Sequence, residues 1–177
     1  MTPDEYIQLK AFARVDGLWL ALLWTLNFAC YLLGFENPLI GWMAIILIIW
    51  TPFFIAKRLR KFRDNVLEGI ISFGRGWGYV ALMFFYAGVL FAIVLYVYFA
   101  FLDQGYIVSM LQKAMETPEM VKQIAQYEGM DVMISDALTA YSQIRPIDIA
   151  INFVTMTLMI GIFLGLPIAA SVKRNIK

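Results

Sequence analysis

The fold is decided by residues 76–102, which read GWGYVALMFFYAGVLFAIVLYVYFAFL and contain no charged side chain. Three further charge-free stretches follow the same pattern, at residues 17–35, 37–56 and 149–172. A transmembrane helix needs about 20 mostly apolar residues to cross the hydrocarbon core of a bilayer. The sequence therefore predicts an all-α membrane protein, a bundle of four transmembrane helices.

We predict a single integral membrane domain over residues 1–177, with spans at about 15–33, 38–56, 77–102 and 147–172. The segment at about 103–146 is expected to be helical and extracytoplasmic. Thr117-Pro118 is typical of a helix start, and Gly129 is expected to end that helix. Asp131 is expected to cap a second amphipathic helix.

The Lys and Arg residues are sorted to one side of this arrangement. Eleven of the fourteen fall in the N-terminal segment, the connection between spans two and three, or the C-terminus. The segment 103–146 holds the other three. By the positive-inside rule, both termini are expected in the cytoplasm.

Composition limits the chemistry that the chain is expected to perform. It has no histidine and one cysteine, Cys30, so we expect neither a Cys/His metal site nor a histidine-based catalytic set. We predict no catalytic residues, no metal and no cofactor. The net charge of +1 argues against a nucleic-acid partner.

A basic cluster, formed by Lys57, Arg58, Arg60, Lys61 and Arg63, lies in the connection between spans two and three. This connection is expected to be a loop. Such clusters attract anionic lipid headgroups, although this one could serve only to set the topology. The glycines at 74, 76 and 78 are expected to turn the chain into span three. The lipid-binding candidates are Lys57, Arg58, Arg60, Lys61 and Arg63.

Polar residues within the spans are few, and Asp16, Asn27 and Asn152 are the candidates for an intramembrane site. Asp16 could pair with Arg14 or with the basic connection, or it could handle a proton or a substrate. Gly161, Gly165 and Ala169 form a small-residue stripe in span four. Such stripes allow close helix packing, within the bundle or against a second chain.

Three strings resemble one family, the domain of unknown function 4199: residues 68–74 (EGIISFG), 96–103 (YVYFAFLD) and 169–174 (AASVKR). Members often have proline after that aspartate, whereas this chain has Gln104. The resemblance implies a small four-helix protein of the bacterial inner membrane with no assigned activity. It also implies a partner, a membrane glycosyltransferase that acts on polyprenyl-phosphate carriers.

These observations favour a non-enzymatic accessory or scaffold subunit that binds another inner-membrane protein or a second copy of itself. The alternative is a small transporter or lipid-handling protein that uses Asp16, Asn27 and Asn152. An enzyme is the third possibility, because no nucleophile and base are recognisable. A water-accessible cavity at Asn27 or Asn152 would favour the transporter.

Overall fold

The computed structural model describes residues 2–127 and 129–174. Their helices, in chain order, are α1 (Pro3–Gly34), α2 (Pro38–Val66), α3 (Phe73–Val97), a π-helix (Tyr98–Leu102) that continues α3, α4 (Tyr106–Met115), α5 (Pro118–Ile124), α6 (Met130–Ser142) and α7 (Pro146–Val172). Four of them, α1, α2, α3 with the π-helix, and α7, are long and apolar enough to cross a membrane. The prediction of an all-α, multi-pass membrane protein is confirmed.

Local signals set the ends of the first two helices. Thr2 and Glu5 form a reciprocal capping box at the start of α1, with Pro3 in the first turn. The side chain of Asn37 accepts a hydrogen bond from the Leu39 amide at the start of α2. Only residues 35–37 separate the two helices, which therefore run antiparallel.

Helix α3 is the most buried of the four spans. Its core residues are Tyr79, Val80, Met83, Phe84 and Ala87, which pack with Leu20 of α1 and with Ile55, Leu59 and Phe62 of α2. The indole of Trp24 on α1 lies 5.7 Å from the ring of Phe84 and 5.9 Å from the ring of Phe153 on α7. Aromatic and aliphatic side chains thus join α1, α3 and α7 around one apolar centre.

The expectation of a loop from residue 57 onward is wrong. Helix α2 continues to Val66, so the basic cluster is helical and the connection shrinks to residues 67–72. Lysine, arginine, leucine and alanine are good helix formers, and nothing between residues 56 and 66 breaks the helix. The glycines at 74, 76 and 78 lie inside the first turns of α3 instead of forming a turn before it.

The end of α7 is bound to the connection between α2 and α3, and we call this end of the bundle the basic end. Ile71 and Arg174 exchange two backbone hydrogen bonds, each 3.1 Å long. The Arg63 guanidinium donates to the Val172 carbonyl oxygen at 2.9 Å. The side chain of Ile71 is buried.

Residue contacts divide the chain into two compact units, Met1–Val94 with Ile151–Lys177, and Leu95–Ala150. The single domain expected from the sequence stays a prediction.

Within the second unit, α4 is a helix that the sequence analysis does not predict. Helix α5 ends at Ile124, whereas it was expected to end at Gly129. Gly129 instead precedes α6 with a φ of +77°, so Asp131 lies inside the first turn and does not cap that helix. The tripeptide 125–127 forms turns, which the sequence pattern did not distinguish from helix.

Candidate functional site

An ion pair near the basic end joins the first three helices. Asp16 of α1 is buried, and its Oδ1 lies 2.5 Å from Nη2 of Arg58 on α2. Its other oxygen accepts a hydrogen bond from the hydroxyl of Tyr79 on α3. Both carboxylate oxygens of Asp16 are therefore engaged within the bundle. This arrangement fits a structural tie between three helices.

Aromatic rings surround this ion pair. The Arg58 guanidinium carbon lies 5.9 Å from the ring centre of Trp19 and 5.8 Å from that of Phe54, distances at which a cation is attracted to a ring face. The ring of Phe62 stacks on Tyr79 at 4.7 Å. Nε of Arg58 is buried and has no hydrogen-bond partner among the residues described. Asp16 is therefore the carboxylate that balances the charge of Arg58.

Asn27 is used in a contact between α1 and α2. Its side-chain amide donates to the carbonyl oxygen of Ala44 at 2.7 Å. About two turns farther along α1, Gly34 lies so close to Gly41 that a Cβ on Gly34 would sit 2.7 Å from the Gly41 Cα. A groove of about 410 Å³ runs beside these contacts, and Asn27, Tyr31, Trp42 and Ile45 are among the residues that line it. Its lining is almost entirely apolar.

Asn152 has a different environment on α7. Its side chain is exposed and makes no hydrogen bond to any other residue in the described ranges. Thr155 is also exposed, but its hydroxyl donates to the Ile151 carbonyl of the same helix at 3.1 Å. Asn152 lies four residues beyond Asp148, about 6 Å along the helix axis. It is thus an exposed polar side chain on a helix long and apolar enough to span a membrane, with no hydrogen-bond partner among the described residues.

The three intramembrane candidates do not converge on one site. Asp16 and Asn27 are eleven residues apart on one helix, about 16 Å along its axis. Asp16 contacts Arg58, Asn27 contacts Ala44, and Asn152 faces away from the bundle. The interior therefore offers no continuous row of these polar groups along which a substrate could be passed.

The small-residue stripe of α7 lies against α3. A Cβ at Gly161 would collide with the Phe84 side chain, and one at Gly165 would sit 2.9 Å from Cδ1 of Trp77. Ala169 is buried and contacts the Gly76 position. The Trp77 indole also donates to the Ile162 carbonyl at 2.9 Å. The stripe thus packs within the bundle in this structure.

The basic cluster divides into two groups. Arg58 and Arg63 are turned into the bundle, where Arg58 binds Asp16, and Arg63 binds Asp64 and the Val172 carbonyl. The other three, Lys57, Arg60 and Lys61, are exposed and make no ion pair with any residue in the part of the chain that the structure describes. Within the basic cluster, these three side chains are therefore the exposed ones.

Sequence reasoning missed two members of the polar network at the basic end. Tyr79 lies in an apolar stretch and Arg75 in the connection before it, and neither is among the candidate residues that the sequence indicates. Arg75 contacts Glu5 of α1 at 3.2 Å, while its Nε and Nη2 are buried without a hydrogen-bond partner among the described residues. A single arginine among glycines just before an apolar stretch could have marked a buried pairing site.

In the unit 95–150, Asp103 organises the turn that follows the π-helix. Its carboxylate accepts hydrogen bonds from the amides of Gly105 and Ile107 at 3.1 and 3.2 Å. Gln104 and Gly105 have φ values of +41° and +84°, and such values are unfavourable for glutamine. Asp103 thus holds a strained turn from which α4 begins.

The family model described as "Protein of unknown function (DUF4199)" matches residues 16–174. The match includes all three strings on which the resemblance rests, and it begins at the ion-paired Asp16. No curated protein and no solved structure matches the chain. Because the match spans nearly the whole chain, this membrane protein belongs to the DUF4199 family of proteins of unknown function.

Proposed function

We propose that the protein is a non-enzymatic accessory or scaffold subunit that associates with another membrane protein through α7. The observation that carries this proposal is the exposed Asn152, which has no partner among the described residues. A polar side chain at the lipid-facing surface of a span is costly, and a hydrogen bond to a neighbouring helix removes that cost. The other intramembrane polar groups support this view because they hold the bundle together.

The side chains around Asn152 suit a helix–helix contact. Met156, Met159 and Phe163 are exposed on α7, between 52% and 64% of their surface, and with Asn152 they recur at helical spacing. Methionine adapts its shape to irregular partners, and aromatic residues and methionine are enriched at protein interfaces. The glycosyltransferase implied by the family resemblance is the first partner to test, and a second copy of the chain is the other.

Asn152→Val is expected to weaken the complex while leaving the fold intact, because it removes only the unpaired polar group from an exposed position. Thr155→Val is the matched control, since that hydroxyl already bonds within its own helix. We would purify each variant in mild detergent, identify co-eluting membrane proteins and place a photo-cross-linking residue at position 156, which is exposed one turn from Asn152. Unchanged recovery of the cross-linked partner with Asn152→Val would contradict the proposal.

A lipid-handling protein is the second candidate, and the apolar groove of about 410 Å³ between α1 and α2 favours it. In this case the protein in vesicles should accelerate the transfer of labelled lipid between membranes. Asn27→Leu, which removes the polar group lining the groove, should alter that rate. If the wild-type protein does not accelerate the transfer, the lipid-handling candidate is rejected and the subunit proposal remains.

The sorting of basic residues supports an inner-membrane protein of bacterial type with both termini in the cytoplasm. Single cysteines at positions 60 and 120, in a Cys30→Ala background, should then react differently with a membrane-impermeant thiol reagent. In intact cells with a permeabilised outer membrane, only position 120 should be labelled, because the proposed topology puts it outside the cytoplasm. Labelling at position 60 instead would reverse the orientation.

A further inference from the structure

Helix α2 has two faces of different chemistry, separated by its periodicity of 3.6 residues per turn. The buried face consists of Ala44, Ile55, Leu59 and Phe62. The opposite face is exposed along nearly its whole length, and its members share helical spacing at i, i+3 and i+4. We call it the outer row of α2: Trp42, Ile46, Ile49, Trp50, Phe53, Lys57, Arg60 and Lys61.

The outer row changes from apolar to basic at a single helical turn. The apolar members are exposed over 53% to 63% of their surface, and Phe53 is the last of them. Lys57 follows one turn later, and Arg60 and Lys61 complete the basic part. Asp64 lies one turn beyond Arg60 on the same helix, where Arg63 holds its carboxylate through hydrogen bonds of 2.7 and 3.1 Å. The charge of Asp64 also acts on Arg60, but Lys57, Arg60 and Lys61 form no ion pair with any residue that the structure describes.

The dimensions of this row match one phospholipid molecule. A helix of 29 residues is about 43 Å long, which exceeds the roughly 30 Å hydrocarbon core, so one end of α2 reaches the headgroup region. The chains of one leaflet extend about 15 Å, or about ten helical residues. That distance covers α2 from the turn before Lys57 back to Ile46. The acyl chains of one lipid would thus contact the apolar part of the row, while its headgroup contacts the basic part.

From this geometry we infer that the outer row of α2 binds one anionic glycerophospholipid in the leaflet at the basic end. Lys57, Arg60 and Lys61 hold the phosphate-bearing headgroup by charge-assisted hydrogen bonds, and Phe53, Trp50 and Ile46 contact the acyl chains. A free phosphate ion would use only the basic part, and a neutral lipid only the apolar part. Because α2 and Asn152 of α7 are separate surfaces, this site is independent of the proposed association.

The test uses the full-length protein, delipidated in mild detergent and titrated with phosphatidylglycerol or with phosphatidylcholine of the same chain length. Bound lipid is counted by native mass spectrometry. The wild-type protein should prefer phosphatidylglycerol by at least about tenfold, as expected for three cations at a headgroup. The triple variant Lys57→Gln, Arg60→Gln, Lys61→Gln should lose that preference. Inorganic phosphate should compete no better than sodium chloride of equal ionic strength.

The matched control is the triple variant Lys10→Gln, Arg14→Gln, Lys173→Gln, which removes three exposed cations from the same end of the bundle, but not from α2. It should retain the preference for phosphatidylglycerol. Equal losses in the two triple variants would show diffuse surface charge and would overturn the site. So would equal binding of the two lipids by the wild-type protein, or displacement of the lipid by inorganic phosphate. Matching circular dichroism spectra would confirm that all variants are folded.

Discussion

Asp16→Asn is expected to lower the free energy of unfolding by about 3 kcal/mol or more, measured as a fall in the thermal midpoint in detergent. Asparagine keeps the shape of the side chain, but it removes the charge that Arg58 contacts at 2.5 Å. The guanidinium would then remain largely buried among aromatic rings without a counter-ion. Breaking a buried ion pair at one partner is costly for this reason.

Two further variants separate this effect from ordinary loss of charge. Asp64→Asn is the control, because Asp64 also pairs with an arginine but is exposed, and its variant should unfold near the wild-type midpoint. In a double-mutant cycle, Asp16→Leu with Arg58→Leu should be less destabilising than the sum of the single changes, since no unpaired charge remains. Wild-type stability of Asp16→Asn would show that the pair does not hold the helices together.

Gly165→Leu is expected to destabilise the bundle by about 1–3 kcal/mol, the usual effect of adding carbon atoms to a packed contact. A Cβ at this position would lie 2.9 Å from Cδ1 of Trp77 and 3.5 Å from Cγ1 of Val80. The indole would have to move, and its hydrogen bond to the Ile162 carbonyl would be lost. Thermal unfolding in detergent measures the effect.

Ala170→Leu is the control for this second prediction, because Ala170 is exposed on the same helix and has room for a larger side chain. It should unfold close to the wild-type midpoint. A Gly165→Leu protein that keeps its stability but loses its association partner would assign the stripe to a second chain. Full stability together with unchanged association would contradict both roles.

The spans could be predicted from the sequence because the absence of charge over about 20 residues is a local property. The continuation of α2 beyond residue 56 could not be predicted from hydropathy. Hydropathy assigns a basic stretch to a loop even when its residues favour a helix. Asp131 shows the same limit. An aspartate before an apolar stretch suggests a cap, but the left-handed backbone of Gly129 starts the helix two residues earlier.

The partners of the candidate site depend on contacts that no local pattern contains. The sequence suggested two alternatives as the partner of Asp16, Arg14 or the basic connection, and the structure pairs Asp16 with Arg58, a member of that connection. Arg14 instead lies 6.0 Å from the ring centre of Tyr86. Tyr79 is 63 positions from Asp16 along the chain. Nothing in the sequence distinguishes it from the other tyrosines of span three. Helix packing, not spacing, brings these groups together.

The two hydrogen bonds between Ile71 and Arg174 also constrain the order of assembly during synthesis. Ile71 belongs to the second connection that emerges from the ribosome, whereas Arg174 follows the last span. Because the chain is synthesised from its N-terminus, the hydrogen bonds of Ile71 cannot form until Arg174, about a hundred residues later, has been made. The first three spans can therefore pair early, but their basic end is completed only when α7 arrives.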